Sequence, residues 1–156
     1  MHIRSALIFL LIIGGIPSFT YAQIPVLEDC PVPVDIKRAT PRLKFMDSRD
    51  RQFKTVIRDA AKGPINFAGH HILATWGCGA NCVMASAVDV KSGMVRSLPF
   101  SVSGWPLNVT EPLSFRPDSC LLIVRGSRNE STERGTYYYM FDGQAFKLYI
   151  APERSE

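Results

Sequence analysis

Two histidines and two cysteines lie close together near the middle of the chain. His70 and His71 are adjacent, and Cys78 and Cys82 follow them. Imidazole nitrogen and thiolate sulfur are ligands that zinc prefers, so one histidine and both cysteines could supply three ligands of a zinc site. An imidazole could also act as a general base, but the chain has no Gly-x-Ser-x-Gly nucleophile elbow to accompany it.

The cysteine count favours structure over chemistry. Cys30, Cys78, Cys82 and Cys120 form an even set, which in an exported chain meets oxidising conditions and forms disulfides. Three pairings are possible, and we favour Cys78 with Cys82 and Cys30 with Cys120. Such pairing leaves no thiolate for a metal or for redox catalysis, which moreover usually uses Cys-x-x-Cys. We therefore expect no metal and no cofactor.

The N-terminus has the order of a secretory signal. Arg4 precedes an apolar run over residues 6–16, and Thr20-Tyr21-Ala22 offers small or turn-prone residues for cleavage after Ala22. The run is shorter than the roughly 20 apolar residues that span a bilayer. We expect residues 1–22 to be a cleaved signal peptide, no stable membrane span after cleavage, and a periplasmic or secreted protein.

Prolines and apolar periodicity divide the remainder. Four prolines between residues 23 and 42 predict an extended N-terminal arm over residues 23–46, followed by a single β-rich domain with one helix over residues 47–156. Apolar residues at helical spacing predict one helix over residues 48–62, with Asp47 or Ser48 as its cap and Gly63-Pro64 as its end.

Alternating apolar residues predict strands from residue 70 onward. Residues 70–76 place His70, Ile72, Ala74 and Trp76 on one face and His71, Leu73 and Thr75 on the other. Further strands are predicted at 83–90, 94–102 and 120–124, with an exposed loop at 126–135 and a hairpin that turns at Asp142-Gly143-Gln144. The predicted fold class is α+β: one N-terminal helix packed on a twisted antiparallel sheet of five or six strands, supported by disulfides.

Basic residues are concentrated around the predicted helix. Arg51, Lys54, Arg58 and Lys62 form a possible basic face, in a chain whose formal net charge is +4. Such asymmetry attracts anions, so an acidic envelope protein or an anionic cell-surface component is the expected kind of partner. The aromatic residues lie in predicted core strands, which argues against nucleic-acid binding.

One stretch resembles an uncharacterised family of small exported bacterial proteins. The chain contains Asn66-Phe67-Ala68-Gly69-His70, then Trp76-Gly77-Cys78-Gly79-Ala80-Asn81-Cys82, and then an Asp-x-x-x-Gly turn from Asp89 to Gly93. Family members share Asn-Phe-Ala-Gly-His, Trp-Gly-Cys-Gly-x-x-Cys and that turn. The resemblance covers roughly residues 63–149 and implies a secreted fold without a known activity. His71 departs from the pattern, in which tyrosine is expected.

These observations favour two functions. The first is an exported, non-enzymatic binding or inhibitory module of the bacterial envelope, with an unknown ligand. The second is a small periplasmic hydrolase or other enzyme centred on His70, His71 and the Cys78–Cys82 loop, with Trp76 and Asn81 in the same functional loop. An open pocket in which His71 meets an acid or a hydroxyl would favour the enzyme.

Overall fold

The strands of the chain form a single curled, mixed β-sheet. The structure, a computed structural model, describes residues 23–39 and 41–149; the predicted signal peptide and the last residue of the predicted hairpin, Ile150, lie outside them. The strands are β1 Lys44–Phe45, β2 His71–Gly79, β3 Cys82–Asp89, β4 Met94–Ser97, β5 Val102–Ser103, β6 Leu113–Ser114, β7 Leu121–Arg128, β8 Arg134–Phe141 and β9 Phe146–Leu148. Two helices, α1 Ser48–Gln52 and α2 Lys54–Ala60, and a 3₁₀ turn at Leu27–Asp29 complete the elements.

Two long strands organise the sheet. β3 pairs with β2 along one edge and with both β4 and β5 along the other, and all three pairings are antiparallel. β7 has the same arrangement, with β8 on one edge and β5 and β6 on the other. The short strand β5 therefore joins two hairpin units into one sheet. β1 pairs with β4 in parallel, which makes the sheet mixed.

The predicted fold class is wrong in both of its parts. The sheet has nine strands, and two short helices replace the single predicted helix. β1, β5 and β6 are each two residues long. Two residues are too few to show alternation in the sequence, so the position of the partner strand decides whether they pair. The parallel pairing of β1 likewise depends on the fold rather than on a local signal.

The predicted helix is interrupted at Phe53. The backbone of Phe53 has φ −100° and ψ 17°, which ends α1 before α2 begins. Its ring lies 5.1 Å from the ring of Trp76 on β2, and we attribute the break to this packing, which outweighs the helical preference of the segment. The predicted cap is confirmed, because the Asp47 side chain accepts a hydrogen bond of 2.7 Å from the Arg49 amide.

The segment predicted as an arm is attached to the sheet along its length. The Cys30–Cys120 disulfide joins it to the start of β7. The amide of Val32 donates to the carbonyl of Asp118, and the amide of Asp35 donates to the carbonyl of Gly69, each at 2.9 Å. The arm thus helps to fix the turn that precedes β2.

Two apolar clusters lie on opposite faces of β2, as the alternation predicts. Ile72, Ala74 and Trp76 pack against α2, whereas Leu73 belongs to the larger cluster. That larger cluster fills the space between the β2–β3 and β7–β8 units. Its members include Phe67, Leu98, Phe100, Val102, Leu122, Val124, Tyr139, Phe141 and Phe146.

The second half of the chain confirms two predictions and corrects one. Leu121–Val124 is buried throughout, as expected for a central strand. The hairpin turn at Asp142 is also confirmed, because Gly143 has φ +87° and Phe141 pairs with Phe146. The exposed loop predicted at 126–135 is shorter than expected, since β7 extends to Arg128, β8 begins at Arg134, and only residues 129–133 form the exposed connection. Within the described ranges, neither helix is long and apolar enough to cross a membrane.

Candidate functional site

A tight turn before β2 brings the two histidine rings together. Ala68 has φ +44° and Gly69 has φ +79°, and the amide of His71 donates to the carbonyl of Phe67 at 2.9 Å. A positive φ is uncommon for a residue other than glycine, so Ala68 is held there by its surroundings. Because His70 belongs to this turn and not to the strand, its ring lies beside that of His71, with centroids 4.3 Å apart. The predicted placement of His70 on the strand face of Ile72 is therefore corrected.

His71 is buried and its ring orientation is fixed. Nδ1 donates a hydrogen bond of 2.9 Å to the carbonyl of Ala68, and the ring packs edge to face on Phe141 with centroids 5.0 Å apart. Burial lowers the pKa of His71 below its usual value, and the hydrogen bond to Ala68 only partly opposes this. The neutral ring therefore carries its lone pair on Nε2.

Asp89 is the third member of this cluster. It ends β3, where it pairs with His71 in register. Its Oδ1 accepts hydrogen bonds from the amides of Lys91 and Ser92, and its Oδ2 accepts one from the Ser92 hydroxyl. Burial raises the pKa of Asp89, but the bonds from Ser92 and Lys91 outweigh it, so the pKa lies below its usual value. Its Oδ1 is 3.7 Å from Nε2 of His70.

We call His70, His71 and Asp89 the imidazole–carboxylate cluster. One ligand atom from each residue lies within 4.8 Å of the others. The side chains of His70 and Asp89 keep 34% and 20% of their surface exposed, so solvent reaches the cluster. The sequence places Asp89 only in a turn. Its approach to the histidines follows from the β2–β3 register, which no local pattern reveals.

The cysteines do not join the histidines. Cys78 is paired with Cys82 and Cys30 with Cys120, the pairing favoured from the sequence. Cys78 lies seven residues along β2 from His71, a separation of about 23 Å in an extended strand. The zinc set of a histidine with both cysteines is therefore not formed.

The other residues of the predicted functional loop are also dispersed. Trp76 is buried against Phe53, on the face of β2 that packs on α2. Asn81 is exposed, has φ +53°, and lies in the turn between β2 and β3. The structure thus brings together His70 and His71 but leaves Trp76 and Asn81 outside their site.

A second site, which we call the basic cleft, lies between the N-terminal segment and α2. It has a volume of about 590 Å³, and four cationic residues line it: Arg38, Arg42, Arg58 and Lys62. Apolar residues also line it: Leu43 and Ala61 are partly exposed, and Val88 and Val90 are buried beneath them. Of the predicted basic face, Arg58 and Lys62 line this cleft, whereas Arg51 and Lys54 do not.

The four cationic side chains of the basic cleft differ in their interaction partners. Arg38 donates to the carbonyls of Ala61 and Gly63 at the end of α2, and Lys62 pairs with Asp59 at 2.6 Å. The Arg58 guanidinium lies 5.5 Å from the centre of the Phe45 ring. In the described part of the chain, no carboxylate lies within ion-pair distance of Arg42 or Arg58.

A buried carboxylate lies elsewhere, beneath a polar depression of about 530 Å³. Asp50 of α1 is 1% exposed, and its Oδ1 accepts a hydrogen bond of 2.6 Å from the Ser86 hydroxyl. Among the described residues its Oδ2 has no hydrogen-bond partner, and neither has Oγ of Ser97. Asp50 follows Arg49 in a polar segment, so the sequence gives no sign of its burial.

Comparisons with known proteins leave the function to be inferred from these sites. No family model matches the chain, and no curated protein or solved structure is significantly similar to it. Two arrangements in the described part of the chain, the basic cleft and the imidazole–carboxylate cluster, could bind a ligand or an ion. They adjoin at Asp89, which also lines the cleft.

Proposed function

We propose that this chain is an exported, non-enzymatic binding module of the bacterial envelope, and that the basic cleft holds a small anionic ligand with an apolar portion. The observation that carries the proposal is that two guanidinium groups, Arg42 and Arg58, have no carboxylate partner among the described residues and lie beside an apolar surface. The cleft volume of about 590 Å³ falls within the range typical of small-molecule sites.

The two kinds of surface call for two kinds of ligand group. A guanidinium binds carboxylate or phosphate oxygens through paired hydrogen bonds. Leu43 and Ala61, which are partly exposed, offer the ligand a surface that removes hydrocarbon from water. An anion without an apolar part would leave this surface unused, and a neutral hydrocarbon would leave the arginines unpaired. An amphiphilic anion such as a cell-surface lipid component uses both.

The assignment to the envelope depends on the chain's cysteines and its N-terminus. Disulfides persist in oxidising compartments, and both cysteine pairs are at bonding distance here. The first 22 residues have the order of a cleavable signal. Both features support export.

The proposed ligand class is tested with an aromatic sulfonate, anilinonaphthalene sulfonate, whose fluorescence rises in apolar sites. We expect the protein to bind it saturably. Replacing Arg42 and Arg58 together with alanine is expected to weaken binding about tenfold or more, because charge-assisted hydrogen bonds are lost. Fluorescence titration measures the change, and added salt is expected to weaken the wild-type interaction.

A matched control removes the same charge outside the cleft. The double variant Arg51→Ala/Lys54→Ala is expected to bind the sulfonate as the wild type does, since neither residue lines the cleft. A neutral probe, N-phenylnaphthylamine, should bind the wild type and the Arg42→Ala/Arg58→Ala variant equally. Equal sulfonate affinity in both double variants, or no saturable binding, would contradict the proposal.

The enzyme hypothesis has only partial support: His71 lies beside the carboxylate of Asp89 and lines a cavity, but its own side chain is buried. Its centre was to combine His70 and His71 with the Cys78–Cys82 loop, and the length of β2 separates these two parts. We therefore propose no reaction.

A further inference from the structure

We propose that His70, His71 and Asp89 bind one divalent transition-metal ion, and that zinc suits the site best. Two imidazoles and a carboxylate are ligands of the borderline hardness that zinc accepts. All three residues contribute a ligand atom within 4.8 Å of the others. This inference does not depend on the proposed anionic ligand.

The spacing of the donor atoms suits a shared ion better than direct contacts. Donors bound at about 2.1 Å lie about 3.0 Å apart at right angles and about 3.4 Å apart at the tetrahedral angle. Nε2 of His70 and Oδ1 of Asp89 are 3.7 Å apart, which is too long for a hydrogen bond and close to these values. His71 and Asp89 are held by hydrogen bonds, so the half-exposed His70 ring is the one that must move inward on binding.

The hydrogen bonds around the cluster orient two of the ligands. Ala68 accepts from Nδ1 of His71, so Nε2 is the nitrogen with a free lone pair. Asp89 is held by the amides of Lys91 and Ser92. Metal-binding histidines and carboxylates regularly have such outer partners, which fix the tautomer and the orientation of the ligand. The positive φ of Ala68 places its carbonyl and both rings in one turn.

The charges near the cluster act in both directions, because the basic cleft adjoins it at Asp89 and the arginines of that cleft repel a cation. The ammonium group of Lys91, two residues after Asp89, is paired with Asp35 at 2.6 Å, which offsets its repulsion of a cation. A cavity of about 400 Å³ is lined by both histidines, with Phe141 and Asp142 on its other side. Three protein ligands leave at least one coordination position for water or for a ligand group.

The test is a zinc titration of the purified, untagged protein after removal of metal with a chelator. Isothermal calorimetry is expected to give one zinc ion per chain with a dissociation constant of about 10 µM or lower. His70→Ala and Asp89→Asn are each expected to weaken binding about tenfold or more. Asparagine keeps an acceptor oxygen for the turn amides, and circular dichroism checks that each variant folds. Cobalt(II) gives a second readout, a visible absorption band that His70→Ala should abolish.

Control variants separate this site from the surface and from the basic cleft. Asp59→Asn removes an exposed carboxylate on α2 and should leave zinc affinity unchanged. Arg42→Ala/Arg58→Ala should bind zinc at least as tightly as the wild type does, because it removes cations beside Asp89. His70→Ala should bind the sulfonate probe as the wild type does. The absence of saturable zinc binding would overturn the inference, as would equal affinity in the wild type and His70→Ala.

Discussion

Replacing Cys30 and Cys120 together with alanine is expected to lower the free energy of unfolding by about 4 to 5 kcal/mol. The two cysteines are 90 residues apart in sequence, so their bond restricts a large loop of the unfolded chain. In the native protein the same bond anchors the N-terminal segment at the start of β7, beside the larger apolar cluster. Urea denaturation of wild type and variant, followed by circular dichroism, measures the difference.

The second disulfide provides the matched comparison. Cys78 and Cys82 are four residues apart, and closing so short a loop is worth about 2 kcal/mol in the same treatment. Alanine at both positions should therefore destabilise the protein less than half as much. Equal losses in the two double variants would show that loop entropy does not govern the contribution of these bonds.

The substitution Phe67→Ala is expected to cost about 3 to 5 kcal/mol of stability. Phe67 is 0% exposed, and its ring lies within 6.1 Å of the rings of Phe115, Phe141 and Phe146. Truncation leaves a cavity at the point where the turn before β2 meets the β8–β9 hairpin. Chemical denaturation is again the measurement. The stability of Phe67→Leu should lie between that of the wild type and that of Phe67→Ala.

A suitable control for Phe67 is Leu107, whose side chain is fully exposed. Leu107→Ala should change stability by no more than about 0.5 kcal/mol. If Phe67→Ala costs as little as Leu107→Ala, the aromatic cluster is not the part of the core that the structure indicates.

Local signals predicted the parts of the fold that local chemistry determines. Asp47 caps α1 because a carboxylate accepts from a free helix amide, and a cap of this kind is visible in the sequence. Gly143 adopts a positive φ in the last turn for an equally local reason. The alternation through Ile72, Ala74 and Trp76 correctly assigned one face of β2, because the two faces bury different clusters.

Features that depend on distant partners could not be predicted. Phe53 breaks the helix beside Trp76, and β5 pairs with β3 on one side and with β7 on the other. β2 begins at His71, one residue later than the sequence predicts. The ring of His70 therefore lies beside the ring of His71 and not on the opposite face of the strand. Period-two reasoning is sensitive to such a shift, because it moves a side chain to the other face.

Two of the four cationic residues that line the basic cleft could be predicted from the sequence, and two could not. The charge run of the helix pointed to Arg58 and Lys62. Arg38 and Arg42 come from the proline-containing segment, whose path over α2 follows from tertiary contacts. Arg51 and Lys54 carry the same charge yet face elsewhere, so charge density alone does not identify a site.

The long Cys30–Cys120 link also has a bearing on biosynthesis. A chain is made from its N-terminus, so Cys30 emerges well before Cys120, and Cys78 and Cys82 emerge between them. The Cys30 thiol can therefore pair incorrectly with Cys78 or Cys82 before Cys120 has been made. Reshuffling of such disulfides takes seconds to hours. Correct maturation of this protein should therefore depend on a disulfide isomerase, and a host strain that lacks one should accumulate mispaired forms.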